Sequence, residues 1–566
     1  MTSQPAAGIG AHAPNGTAGL TGPAGHRSQG RSQLLALAGT RELTRFALHR
    51  DRMMLPAWIY VLVIVAASGG YGLKLVYKTP HSRARLAATV YHDKALAFLY
   101  GQLHGSSLGA IGAWRYLMYA TLAAGLMNIF LVIRHTRADE EAGRLELVGS
   151  TAVGRHAPLA SAMLVASTAS LVAIVLTSVV LMACGLPAVG SVAFAVAEAA
   201  GGLVFGALAA LAAQISGTAR GARGLVITTL AVCFLLRGVG DSGGGHGLGW
   251  LTWLSPLGWA EEVRPFTADR WWVLALPAAA IAFGVLAATG LAAYRDQGAG
   301  LVQPRPGPPA ARRLLSSPEG LAWRLQRGTL GGWAAGFLVG GLAIGVVANG
   351  IGPLIGSSAG VDKALDRISG QSALTSAYLA ACMSLLGLVA AAYATSAVLR
   401  LRGEETDGTA EPVLAEPVGR LRWAGSHLLV AALGTGAVLV AGGVGTGLGY
   451  GIASSTTGTQ LPRLIEAALA QWPAALTVAA VASVFVGLRP QWSTAAGWTA
   501  FTACGLIGLF GPAFRLTQAV LDISPFTHVP KLPGGSFSAV PLLWLGGFFL
   551  VVTAAGLAGL RHRDIG

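Results

Sequence analysis

The chain has 566 residues, of which 53% are hydrophobic and 11% charged, against roughly 25% charged in an ordinary soluble domain. Its mean hydropathy is +0.60. This composition cannot clothe a soluble protein of such length, and it excludes disordered, collagen-like and disulfide-scaffold classes. The net charge of +15 is accounted for by basic loops on the inner membrane face and calls for no nucleic-acid partner. The apolar stretches are long enough to cross a lipid bilayer as helices, so the predicted class is an all-α polytopic membrane protein.

Residues 1–32 are rich in Gly, Ala, Ser, Thr and Pro and lack the apolar core of a signal peptide, and they read as a disordered cytoplasmic tail. Residues 33–52 place Arg41, Arg45, Arg50 and Arg52 among leucines and Phe46, the pattern of an amphipathic helix on the inner membrane face. Six spans are predicted near 54–73, 108–133, 157–184, 192–213, 223–239 and 271–294. They make 33–294 the first six-span half. Residues 295–329, with Pro304, Pro306, Pro308 and Pro309, form a cytoplasmic linker ending in a second surface helix, LAWRLQRG, at 321–328. The second half, 330–566, holds spans near 330–348, 374–398, 424–450, 464–486, 492–510 and 540–560. Both termini are expected inside.

The strongest organisational signal is internal repetition. The loop after span two reads RADEEAGRLELVGSTAVGR from Arg137, and the loop after span eight reads RGEETDGTAEPVLAEPVGR from Arg402. At a shift of 265 they share Arg137/Arg402, Glu140/Glu405, Gly143/Gly408, Glu146/Glu411, Val148/Val413 and a closing Val-Gly-Arg. Ser255-Pro256 recurs as Ser524-Pro525, and Arg295-Asp296 as Arg563-Asp564. An even number of spans per half makes the halves parallel. Residues 138–149 are predicted to form about three helical turns, with Leu145 and Val148 on one face. In the second loop Pro412 is expected to shorten the corresponding helix.

The interior offers little charge. Glu198 and Glu466 fall at equivalent places near outer span ends and read as interfacial, as do Arg115 and Arg237. A sparse interior favours an apolar or amphipathic substrate. Glycines crowd spans seven (Gly336, Gly340, Gly341, Gly345) and nine (Gly442, Gly443, Gly445, Gly447, Gly449), which reads as close helix packing. Cys184, Cys233, Cys382 and Cys504 lie in or at the ends of apolar runs, and neither they nor the twelve His show metal-site spacing.

These loops, together with WLSPLGW, ISPFTHVPKLPG, RD-x-GAGL and LAWRLQRG, resemble the permeases of actinobacterial ABC exporters of the ABC-2 type, the polyketide-antibiotic and multidrug exporters. The resemblance covers about residues 40–566. It implies two fused ABC-2-type halves in a bacterial plasma membrane, moving hydrophobic small molecules such as antibiotics and drugs out of the cell. It also implies two copies of a separate ABC ATPase, which would hold ATP and Mg. The loops would then be coupling helices, a role carried to Glu140, Glu141, Gly143, Arg144, Glu146 and Val148, and to Glu405, Gly408, Glu411 and Val413.

This chain is expected to hold no cofactor and to be no enzyme. A phosphate-binding P-loop requires Gly-Lys, and none of the five Lys follows a Gly. A twelve-span ion-coupled transporter of the major-facilitator type is an alternative, but its loop between spans two and three is short and basic, whereas this one carries Asp139, Glu140, Glu141 and Glu146. A membrane-embedded transferase is a remote one, since Asp241, Glu261, Glu262 and Asp522 are too few for its site.

Overall fold

The computed structural model describes residues 36–563 except 92–93, 150–152, 243–246, 296–299, 303–312, 356–369 and 511–516. The expected tail at 1–32 and the Pro-rich part of the linker, 303–312, lie outside the described residues. Helices dominate, and the chain groups into two compact units. Unit 1 takes Met1–Lys78, Ser107–Arg237 and Trp250–Pro304, and unit 2 takes Thr79–Ser106, Gly238–Gly249 and Arg305–Gly566.

Unit 1 begins with α1 (Thr40–Arg50), which buries Ala47 and exposes Arg41, Arg45 and Phe46. Then come α2 (Met54–Ala67), α3 (Leu108–His135), two short helices α4 (Arg137–Glu141) and α5 (Arg144–Gly149), and the long α6 (Ala157–Ala183) and α7 (Ala188–Ile215). Helix α8 (Ala219–Ser242) follows, then α9 (Pro256–Glu262) and α10 (Ala275–Ala293). Helix α7 is the centre of the unit and packs on α3, α6, α9 and α10. Its small residues permit this: a side chain added at Gly202 would run into the α3 backbone at Ala124.

Unit 2 contains α11 (Pro318–Ile355), α12 (Gly370–Thr406), the short α13 (Ala410–Ala415), α14 (Arg420–Ala453), α15 (Thr457–Leu469), α16 (Trp472–Leu488), α17 (Pro490–Phe510) and α18 (Ala539–His562). The segment 321–328 is helical and continuous with the following span in α11. The glycines of α11 and α14 face one another. A Cβ on Gly341, Gly345, Gly445 or Gly449 would collide with a carbonyl oxygen of the partner helix, those of Gly442, Thr446, Leu338 and Leu342 respectively. Small residues here bring two backbones into direct contact, as the glycine pattern predicts.

Among the described residues, eleven helices are long and apolar enough to cross a membrane, with α15 and α16 counted as one. The chain is therefore a multi-pass membrane protein. The span predicted at 492–510 coincides with α17, which is not among the eleven.

Two charges sit differently from expectation, Arg237 and Glu198. Arg237 is fully buried and pairs with Glu261 at 3.0 Å, so it is no interfacial anchor; α9 folds back to supply the carboxylate. Glu198 lies about 15 Å along α7 at 1.5 Å per residue and is 1% exposed. Glu466, its sequence equivalent, is exposed on α15, because the second copy of this span is broken in two at Ala470–Gln471.

The α11–α14 seam makes a prediction. Gly445→Val should lower stability by about 1–3 kcal/mol through overpacking, whereas Gly336→Val, with no atom within 4 Å of its added carbon, should have a small effect. Thermal unfolding of the detergent-purified variants measures the difference, and equal melting temperatures would contradict the seam.

Candidate functional site

The repeated loops follow the long helices α3 and α12: in unit 1 the loop forms α4 and α5, and in unit 2 it runs from the end of α12 through α13. In unit 1 the α3 helix stops at Thr136, whose φ and ψ of −119° and −94° break the helical path. The chain then makes α4, turns at Gly143 and makes α5. Gly143 has φ +70°, and its counterpart Gly408 has φ +69°. Each turn is closed by the same bond, Gly143 N–H to Glu140 O at 3.0 Å and Gly408 N–H to Glu405 O at 3.2 Å. Nothing lies within 4 Å of the missing Cβ in either case, so backbone conformation rather than space calls for glycine.

That turn corrects the expectation of one three-turn helix over 138–149. A left-handed residue ends α4 and resets the helical phase, so residues before and after it no longer share a face. Glu140 turns inward and its side chain is 7% exposed. Arg137 Nη1 reaches it at 3.0 Å, and Arg295, beyond the end of α10, donates through Nη1 at 2.8 Å and Nη2 at 3.0 Å. Arg295 Nε in turn donates to Gln214 Oε1 at 3.1 Å. Arg137, 2% exposed, also donates to the Gly217 carbonyl.

Unit 2 repeats this arrangement. Glu405, with a side chain 4% exposed, pairs with Arg402 at 3.1 Å and with Arg563, beyond the end of α18. The Arg of the Val-Gly-Arg motif acts on the same helix ends. Arg155 donates to the carbonyls of Ala292, Ala293 and Arg295, and Arg420 to that of Arg563 at 2.7 Å. Each loop is thus fastened at two points to the last long helix of its own unit.

The other predicted residues are placed as follows. Glu141 is exposed, yet its Oε2 accepts the Ala219 N–H at 2.9 Å at the start of α8. Arg144 is exposed and pairs with Asp139 at 2.6 Å. Glu146 and Glu411 are exposed, and among the described residues neither forms a hydrogen bond or ion pair. Val413 is half-buried against the core of unit 2. Val148 belongs to α5, but its side chain lies outside the described residues. Among the described residues α5 and α13 each have six residues, and α5 runs up to 150–152, which lie outside the described residues. Pro412 falls in the first turn of α13, where a missing N–H removes no intrahelical bond.

A second set of charges was not singled out by the sequence. Asp51, fully buried, lies 2.6 Å from His135 Nε2 and 3.0 Å from Arg134 Nε, and Arg50 reaches both oxygens of Asp139 at 2.9 Å. The start of α2 and the end of α1 are thereby tied to α3 and α4. In unit 2, Glu404 occupies the position of Asp139 and pairs with Arg400 at 3.1 Å and His427 at 3.2 Å. The Asp139/Glu404 match at the same 265-residue offset was the available signal. Its partners do not repeat in sequence, which is why the cluster was not visible.

Residues 315–561 match the family model described as the C-terminal domain of the multidrug efflux system permease Rv1217c. The multidrug efflux system permease protein Rv1217c of Mycobacterium tuberculosis is 41% identical to the chain over 544 residues, 96% of this chain and 98% of that protein.

Removing Glu140 leaves two buried guanidinium groups without their shared anion. Breaking a buried pair from one side costs about 3–5 kcal/mol, so Glu140→Ala and Glu405→Ala should lower the melting temperature and the yield of folded protein. Glu146→Ala should leave both unchanged. Detergent unfolding curves decide this, and equal stability of the Glu140 and Glu146 variants would refute the buried role.

Proposed function

The chain belongs to the family of the multidrug efflux system permease Rv1217c, and on that premise we propose that it is the membrane-spanning permease of an ABC-2-type exporter. It moves hydrophobic or amphipathic small molecules outward, using ATP hydrolysed with Mg by a separate ATPase. Two copies of that ATPase dock, one on each repeated loop, at the cytoplasmic face of a bacterial plasma membrane. Both chain termini lie on that face. The 295–329 linker joins the two six-span halves in sequence, and residues 1–32 are a disordered cytoplasmic tail.

The observation that supports this reading is the division of labour within each loop. The inward carboxylate, Glu140 or Glu405, fixes the loop to the last long helix of its unit. The outward carboxylate, Glu146 or Glu411, stands free for a partner. Displacing the loop through its outward face displaces the last helix, because the buried ion pairs and the Arg155 or Arg420 bonds connect them. Glu141 and Arg144 in unit 1 and Val413 in unit 2 hold the short helices in place while the carboxylate beside them meets a donor on the ATPase, and Val148 is the apolar position matched to Val413. A charge-assisted hydrogen bond there contributes about 1.5–3 kcal/mol when partly buried.

Glu146→Ala and Glu411→Ala are each expected to leave membrane expression intact, to weaken co-purification of the ATPase and to reduce efflux. The two should be comparable in effect, since each carboxylate lies in the first turn of its short helix, and the double variant should be worse than either. Efflux and substrate-stimulated ATPase activity in cells expressing both subunits provide the readout. Wild-type behaviour of the double variant at equal expression would remove the loops from coupling. Full drug efflux by the permease without its ATPase, abolished by a protonophore, would sink the ABC reading.

A further inference from the structure

At the α4 end of unit 1 lies a cavity of about 460 Å³. Three arginines line it, Arg137, Arg155 and Arg295, with Glu140 the one carboxylate residue among its lining. Both Glu140 oxygens are already engaged by Arg137 and Arg295. Among the described lining residues, three cations less one anion leave a formal surplus of +2, His156 counted neutral.

The start of α6 opens at the same place. His156 is its N-cap residue and makes no side-chain cap, and Pro158 and Leu159 of the first turn also line the cavity. A 27-residue helix adds partial positive charge at that end. The His156 Nδ1 atom is buried and, among the described residues, has no hydrogen-bond partner. Guanidinium groups arriving from α4, from the loop before α6 and from beyond α10 suit a tetrahedral anion, whose oxygens several donors can share.

We propose that this cavity binds the phosphate group of an anionic membrane lipid. The neighbouring chain favours a lipid over a soluble phosphate. The N–H groups of Gly154 and His156 donate to the carbonyls of Ala38 and Ala36, so the cavity wall is joined to the lead-in of α1. That helix shows solvent Arg41, Arg45 and Phe46, the last 64% exposed, which is the pattern of a helix lying at headgroup depth. The site belongs to unit 1. At the same offset in the second loop, His156 is replaced by Leu421 and Pro158 by Trp423, whose ring is buried in the core of unit 2.

The test uses the full-length permease purified in a neutral detergent. Native mass spectrometry and thermal unfolding are recorded with soluble short-chain phosphatidylglycerol, phosphatidylcholine or inorganic phosphate. One phosphatidylglycerol should remain bound where phosphatidylcholine is lost, and should raise the melting temperature. The double substitution His156→Leu with Pro158→Trp, which copies the second loop, should weaken phosphatidylglycerol roughly tenfold or more. Arg155→Gln leaves the Glu140 ion pairs in place and should weaken it similarly, which keeps the test decisive if the double variant does not fold. Equal retention of the two lipids, or unchanged phosphatidylglycerol affinity in a folded variant, overturns the proposal. Protection by inorganic phosphate equal to that by phosphatidylglycerol overturns the lipid assignment.

Discussion

A carboxylate taken out of water must be met by cations, and Glu140 obtains one of them from a residue 155 positions away. Arg137 comes from its own short helix and Arg295 from the end of the last long helix of the unit. Glu405 obtains Arg402 and Arg563 in the same way. This requirement makes the rest of the site mechanical. The short helix α4 and the end of α12 cannot shift alone, because a separation of these charges at 7% and 4% side-chain exposure of the two carboxylates would leave them unpaired and poorly solvated. The Arg155 and Arg420 bonds to helix-end carbonyls act in parallel, so each loop and the last helix of its unit form one body.

The two units use this device with different surroundings. In unit 1 the acidic residue before the key Glu is Asp139, which gathers Arg50 and Arg144 and so includes α1 and α5. In unit 2 it is Glu404, which turns to Arg400 and His427 and stays with α12 and α14. Unit 2 instead invests in backbone contact, through the glycines between α11 and α14. A duplicated framework thus carries one conserved linkage and two different supports.

Much of this was legible in the sequence, for physical reasons. Long apolar runs located the membrane-crossing helices because lipid demands length and hydropathy together. The matched pairs Arg137/Arg402, Glu140/Glu405 and Arg295/Arg563 marked the buried ion pairs before their contact was known, and Gly143/Gly408 marked a backbone conformation. Ser255-Pro256 and Ser524-Pro525 each start a helical turn, with Pro at its first position. The facing of the carboxylates was not legible. Glu140 and Glu146 belong to one acidic stretch, and only the left-handed turn at Gly143, which resets the helical phase, sends one inward and the other outward. The burial of Arg237 was hidden for a similar reason: its partner Glu261 sits on a helix that returns after a loop, and periodicity says nothing of such returns.

The central claim is that the buried ion pairs transmit motion from loop to helix as well as holding them together. Charge exchange between Glu140 and Arg295 tests it most directly. Permease and ATPase are reconstituted together, and the amount of drug exported per ATP hydrolysed is measured for Glu140→Arg, Arg295→Glu and the double exchange, alongside their melting temperatures. The account predicts a low export ratio in each single variant and substantial recovery in the exchange, where a carboxylate at 295 again lies between two guanidinium groups. Recovery of the melting temperature with no recovery of the export ratio would contradict it, because the pairs would then be structural alone.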